Sequence, residues 1–169
     1  MVLELARRGV GGTAVALTPR DLAARTAPWA GFLVRVSIAL MRALLPVMPW
    51  LTGNPVTRTL LFSRFLVRPW ALSPVLALRL VQDWAAAASF RCSARLTFHG
   101  PLQHGAPAGS TGPVVIGWGR NDRATLPKPG RDSHQAVPRC AAALVDRCGH
   151  LIHVDAPEAT VRLILGNTA

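Results

Sequence analysis

The chain has 169 residues, half of them hydrophobic, with 14 Gly, 14 Pro and 3 Cys. That length suits one ordinary domain, the apolar share excludes a disordered chain, and so few Cys exclude a disulfide-dense secreted scaffold. A net charge of +11 raises the question of nucleic acid or membrane, but no basic cluster is interleaved with stacking aromatics, so no nucleic-acid partner is expected.

Of the 19 basic residues only Lys128 is Lys, and there is no Tyr, a bias that a GC-rich coding sequence produces by itself. The charge is uneven: residues 1–112 carry +9 and residues 113–169 carry +2. The odd Cys count leaves at least one free thiol, which fits a reducing, cytoplasmic setting. Apolar runs of membrane-spanning length are interrupted by charge, which argues against a spanning helix.

Residues 1–27 read as helix, turn and strand. Val2, Leu3, Leu5 and Ala6 are apolar, Glu4, Arg7 and Arg8 are polar, and Gly9 closes the run as a glycine past a helix C-terminus does. No signal-peptide core or cleavage site follows Met1. No Ser, Thr, Asp or Asn stands ahead of the first turn as a cap, which fits either a frayed N-terminal helix or a chain that is N-terminally truncated. Thr13 to Thr18, between Gly11-Gly12 and Pro19, reads as a short buried strand over 14–18.

Residues 28–98 read as a helical insert of about three helices. Pro28-Trp29 opens an apolar run to Leu45, with Arg35 and Arg42 seven apart and therefore on one helix face. Pro46 and Pro49 break it. Asn54-Pro55 and Ser73-Pro74 each offer a polar cap followed by proline at the first helical position. In the second helix Leu60, Leu61, Phe62, Phe65 and Leu66 form the apolar face, with Arg58, Arg64 and Arg68 on the other side. Four of five Trp and four of five Phe lie within residues 28–92 of this insert. Such side chains serve either as a lid over an apolar pocket or as the insert's own core. An amphipathic helix lying on a membrane, Arg on its polar face, is a third reading.

Residues 99–112 are Gly- and Pro-rich and read as a linker. His99 and His104 lie in it without the further ligands that a metal needs, so no metal and no cofactor are expected.

Residues 113–169 carry the chemistry. Val114 to Gly119 reads as a buried strand, with Arg120-Asn121-Asp122-Arg123 at its carboxyl end, where open α/β sheets place functional groups. Lys128 to Val137 reads as a short helix and Cys140 to Val145 as a second strand, ending in Asp146-Arg147-Cys148-Gly149-His150. Asp155-Ala156-Pro157-Glu158 reads as a helix start with Asp as cap.

Strand, acid, helix, strand, His, helix resembles the C-terminal half of an α/β hydrolase. The residues carrying the resemblance are Val114 to Asp122 and Cys148-Gly149-His150, followed by Asp155-Ala156-Pro157-Glu158. The resemblance extends forward: the helix at Met1–Gly9 matches the one after the nucleophile, 14–18 the next strand, and 28–92 the lid. It implies a partial α/β-hydrolase fold of about three parallel strands, with 14–18, 114–118 and 141–145 as neighbours. The first of these would expose a bare edge through which the chain could associate. It also implies Asp122 as the acid and His150 as the general base of a nucleophile–Asp–His system.

The family's Gly-x-Ser-x-Gly elbow does not occur in this sequence; Ser110 lacks the first glycine and lies in the linker. Cys148, two residues before His150, fits a packed thiol better than a nucleophile. His134 and His153 are weaker candidates than His150. The family also includes enzymes with an Asp nucleophile, such as epoxide hydrolases and dehalogenases. The leading expectation is therefore an esterase-like hydrolase whose inherited substrate is a small apolar ester or related compound, inactive without its nucleophile. The alternative is a non-catalytic remnant or binding module that applies its basic helical lid to a membrane surface or a protein partner.

Overall fold

A computed structural model of the chain describes residues 2–9, 11–19, 28–87, 112–124 and 140–168. Two compact units emerge. One comprises Met1–Ala24, Arg64–Val67 and Leu102–Ala169; the other comprises Arg25–Ser63 and Arg68–Pro101.

The first unit is built on a three-stranded parallel sheet in the order β1 (Ala14–Leu17), β2 (Val114–Gly119), β3 (Cys140–Val145). Ala14 lies opposite Val114, and Val114 opposite Cys140. β2 is central, and Val114, Val115 and Ile116 are all buried, as befits a strand covered on both faces. Helix α1 (Val2–Arg7) covers one face: Leu3 and Ala6 pack with Ala16, Val114, Ile116 and Cys140, and Trp118 lies against this cluster. Burial in that cluster pushes the Cys140 thiol pKa up. On the opposite face Leu17, Ile152 and Leu163 close around Gly117. The last two belong to α6 (Ile152–Asp155) and α7 (Pro157–Thr168), written here in chain order after the helices of the second unit.

The second unit contains α2 (Pro28–Ala43), α3 (Met48–Gly53), α4 (Pro55–Phe62) and α5 (Pro74–Ala86), with 3-10 turns at Leu45–Val47 and Pro69–Ala71. The two capping expectations hold. Asn54 Oδ1 accepts from the Val56 N–H at 2.8 Å and Ser73 Oγ from the Leu76 N–H at 3.2 Å, each ahead of a proline. The helix count does not hold. α2 ends at Ala43, ahead of Pro46, but Pro46 and Pro49 also each stand in the first turn of a further short helical element, where proline's missing N–H has no intrahelical partner to lose.

Two side chains of α4 also depart from the sequence reading. Leu60 is 74% exposed rather than on the packed face. Arg58 is buried, not solvated: its Nη1 and Nη2 donate to the Thr52 and Trp70 carbonyls at 2.8 and 3.0 Å. Both carbonyls end short helical turns, and a guanidinium fork can serve the two at once. The aromatics divide likewise. Phe62 is buried against Trp84, ring centroids 5.9 Å apart, while Trp50 and Trp70 are exposed. The expected linker at 99–112, with His99, His104 and Ser110, and the expected helix at 128–137, with His134, lie outside the described residues except for Gly112.

Candidate active site

Asp122 and His150 sit at the carboxyl ends of β2 and β3, adjacent parallel strands. Parallel pairing alone brings those ends to one rim of the sheet. What closes the remaining distance is the absence of a side chain at Gly119. A Cβ there would stand 2.0 Å from the Gly149 carbonyl oxygen and 2.6 Å from that of Cys148. The loop after β3 therefore lies directly on the end of β2, and the Asn121 N–H donates to the Cys148 carbonyl at 2.8 Å.

In this arrangement His150 Nδ1 lies 2.9 Å from Asp122 Oδ2. The Asp122 side chain is wholly buried, and the His150 ring is 23% exposed. Asp122 turns back on its own chain: Oδ1 accepts from the Ala124 N–H at 2.8 Å, leaving Oδ2 for the ring. A carboxylate on Nδ1 fixes the Nδ1–H tautomer, so the ring's basic lone pair belongs to Nε2.

The backbone around His150 is tied from several directions. Its N–H donates to the Phe65 carbonyl at 2.8 Å, and the Leu151 N–H reaches the same oxygen at 3.2 Å. Thr18 Oγ1, just past β1, donates to the His150 carbonyl at 3.1 Å. The Phe65 ring lies 6.2 Å from the imidazole, centroid to centroid. Gly149 donates its N–H to Asp155 Oδ2 at 2.8 Å, and a Cβ on it would stand 2.5 Å from the Phe65 carbonyl oxygen. The same Asp155 oxygen accepts from the Val67 N–H at 3.0 Å.

This last pair corrects the sequence reading of Asp155 as the cap of the final helix. Asp155 is instead the last residue of α6, and α7 begins at Pro157. Its carboxylate goes to two backbone donors whose positions only the tertiary fold reveals. His153, also on α6, is exposed. Cys148 is fully buried, with its Sγ 3.9 Å from the Ile152 carbonyl. Among the described residues no group of three or more His, Cys, Asp and Glu is placed to hold a metal ion. The described residues of this unit include no Ser. Arg120 pairs with Asp146 at the exposed rim.

No protein-family model and no curated protein matches the sequence. Among solved structures the chain is similar to a membrane phospholipase A described as a bacterial virulence factor, with a TM-score of 0.64 and 18% identity over 98% of this chain. It is similar to a thermophilic esterase from Thermogutta terrifontis, TM-score 0.62 and 15% identity over 91%. A third is MGS-M2, an α/β hydrolase enzyme from a Medee basin deep-sea metagenome library, TM-score 0.55 and 16% identity over 97%. The chain spans only 52%, 54% and 59% of those three proteins. The three parallel strands and their flanking helices thus form a partial α/β-hydrolase fold, equivalent to somewhat over half of such a protein.

Proposed function

We propose that the chain carries the acid and the base of a nucleophile–Asp–His hydrolase acting on a small apolar ester. The observation that carries this reading is the 2.9 Å contact between a wholly buried Asp122 and Nδ1 of a partly exposed His150. Asp122 holds the imidazole in one tautomer and stabilises the imidazolium as it forms; His150 Nε2 takes the proton of the attacking group and later delivers it to the leaving alkoxide. The nucleophile lies outside the described residues. An esterase and a phospholipase A among the similar structures support the ester class.

The test is hydrolysis of short p-nitrophenyl esters by the protein expressed with the reading frame that runs into Met1. With Ser in an upstream Gly-x-Ser-x-Gly, His150→Ala and Asp122→Ala should each lower kcat by about 10³-fold or more. Full activity in both variants, or no hydrolysis by the parent, overturns the reading.

A second reading rests on α2. Phe32, Val36 and Leu40 recur at every fourth position, Leu33 stands beside them, and all four are between 45% and 59% exposed. Arg35 borders that stripe, as does Arg42, whose Nε donates to the Ala85 carbonyl at 2.8 Å. An apolar face with arginine at its border fits the surface of an anionic bilayer. Among the described residues no single helix is long and apolar enough to cross a membrane. The parent should co-sediment with phosphatidylserine vesicles at low salt, and Phe32→Asp with Leu40→Asp should abolish this. A parent that stays in the supernatant removes the reading.

A further inference from the structure

We propose that Asp155 is a positioning residue for the Asp122–His150 pair, an inference that rests on the reading of that pair as acid and base. Its carboxylate does not touch the imidazole's hydrogen bond. It acts one step back, on the loop that presents the ring.

The geometry is specific. Asp155 Oδ2 accepts from the Gly149 N–H at 2.8 Å and from the Val67 N–H at 3.0 Å, and Oδ1 takes a longer bond of 3.3 Å from Val67. One carboxylate therefore binds the peptide immediately before His150 to the segment Arg64–Val67. That segment in turn accepts the His150 and Leu151 N–H groups on the Phe65 carbonyl. The result is a closed ring of hydrogen bonds: Asp155 to Gly149, on to His150, across to Phe65, along to Val67 and back to Asp155. Bonds from backbone N–H to an ionised carboxylate are about twice as strong as neutral ones.

The placement of Gly149 adds a second constraint. Its α-carbon is wedged between the Phe65 carbonyl and Asp155 Oδ2, 2.5 and 3.2 Å from where a Cβ would sit. The loop therefore has no room to slide toward Phe65, and Asp155 prevents it from lifting away. With the backbone N–H groups of 149, 150 and 151 all bound, and the His150 carbonyl held by Thr18, the ring's remaining freedom is in its own two torsions. The contact to Asp122 fixes those.

An amide at 155 is not equivalent. An Asn could offer one oxygen to both N–H groups, but its NH₂ would face the Val67 N–H, donor against donor. A Glu retains two acceptor oxygens on a longer, more flexible stem.

The experiment is proton NMR of the full chain. The Nδ1–H of an imidazole bound to a buried carboxylate gives a far-downfield resonance, assigned here by its loss in Asp122→Ala. In Asp155→Asn and Asp155→Ala that proton should exchange with water about tenfold faster or vanish, and Asp155→Glu should restore at least part of the protection. A merely structural role in ending α6 would leave the proton unmoved, so circular dichroism and the shifts of Val115 and Ile116 serve as controls for folding. Should Asp155→Ala fail to fold, Asp155→Asn carries the test. Unchanged exchange in a folded Asp155→Asn overturns the inference. A parent protein without any downfield proton sensitive to Asp122 overturns the underlying pair instead, and the two failures are thereby told apart.

Discussion

At the scale of single residues, the site depends as much on what is missing as on what is present. Gly119 brings no side chain to the site, yet its lack of a Cβ lets the His loop rest on the end of β2. Gly119→Ala should therefore act on two observables together. The 2.0 Å approach to the Gly149 carbonyl cannot be relieved by turning a side chain, since backbone is on both sides, and overpacking of this kind costs about 1–3 kcal/mol. Urea denaturation should give a loss in that range, and the downfield proton of the Asp122–His150 bond should weaken with it. A stable variant with that proton intact would show that the loop does not depend on this contact. The placement of Asp122 and His150 at strand ends was legible in the sequence because each follows an apolar run that ends in a loop, while their pairing was implied by the family resemblance. Phe65 and Asp155 were not. Asp155 lies five residues after His150 and looks like a cap by every local criterion. Its partner Val67 is 88 positions away, and no pattern along the chain connects the two.

At the scale of elements, local signals succeed where the side chain's partner is local. Asn54 and Ser73 cap α4 and α5 as their positions before proline predict. Replacing an exposed cap by Ala removes one acceptor from an otherwise unpaired N–H, so Asn54→Ala and Ser73→Ala should each lower stability by about 1 kcal/mol. Thermal unfolding followed at 222 nm checks this, and Asn54→Gly should cost only a few tenths of that amount. At Pro46 and Pro49 the expected break occurs, since α2 ends at Ala43, but the short helical elements that follow were not foreseen. Both stand in first turns, and a residue that starts one helix looks identical, from the preceding side, to one that stops another. Arg58 failed for a different reason. Charge predicts solvent only when no carbonyls wait inside, and the Thr52 and Trp70 carbonyls become available only once the turns at 48–53 and 69–71 have formed.

At the scale of the whole molecule, the parallel order and the central place of β2 match the adjacency that the family resemblance implied. The sheet leaves one side of β1 open among the described residues, since β1 pairs with β2 alone. The N–H groups of Ala14 and Thr18 point to β2, so those of Val15 and Leu17 point the other way. We propose this edge as the route of self-association. Val15→Pro leaves the β1–β2 ladder whole and removes one outward donor, the place where an edge strand tolerates proline. Sedimentation velocity should show oligomers in the parent that diminish in Val15→Pro, with an unchanged circular dichroism spectrum. A parent that is monomeric throughout would refute the proposal.

The segment Arg64–Val67 is flanked on both sides by the helical unit, yet it belongs to the unit with the sheet. Its backbone hydrogen bonds run to His150, Leu151 and Asp155. A ribosome delivers the chain from the N-terminus at roughly 5–20 residues per second. Phe65 and Val67 therefore emerge several seconds before His150, Leu151 and Asp155, which bind their backbone in the folded chain. Throughout that interval these hydrogen bonds to the segment cannot form, because His150, Leu151 and Asp155 are still being translated. The order of synthesis thus runs against the order of need: the last twenty residues hold in place a stretch made long before them, and a nascent chain halted short of Asp155 lacks the partner for its own midpoint.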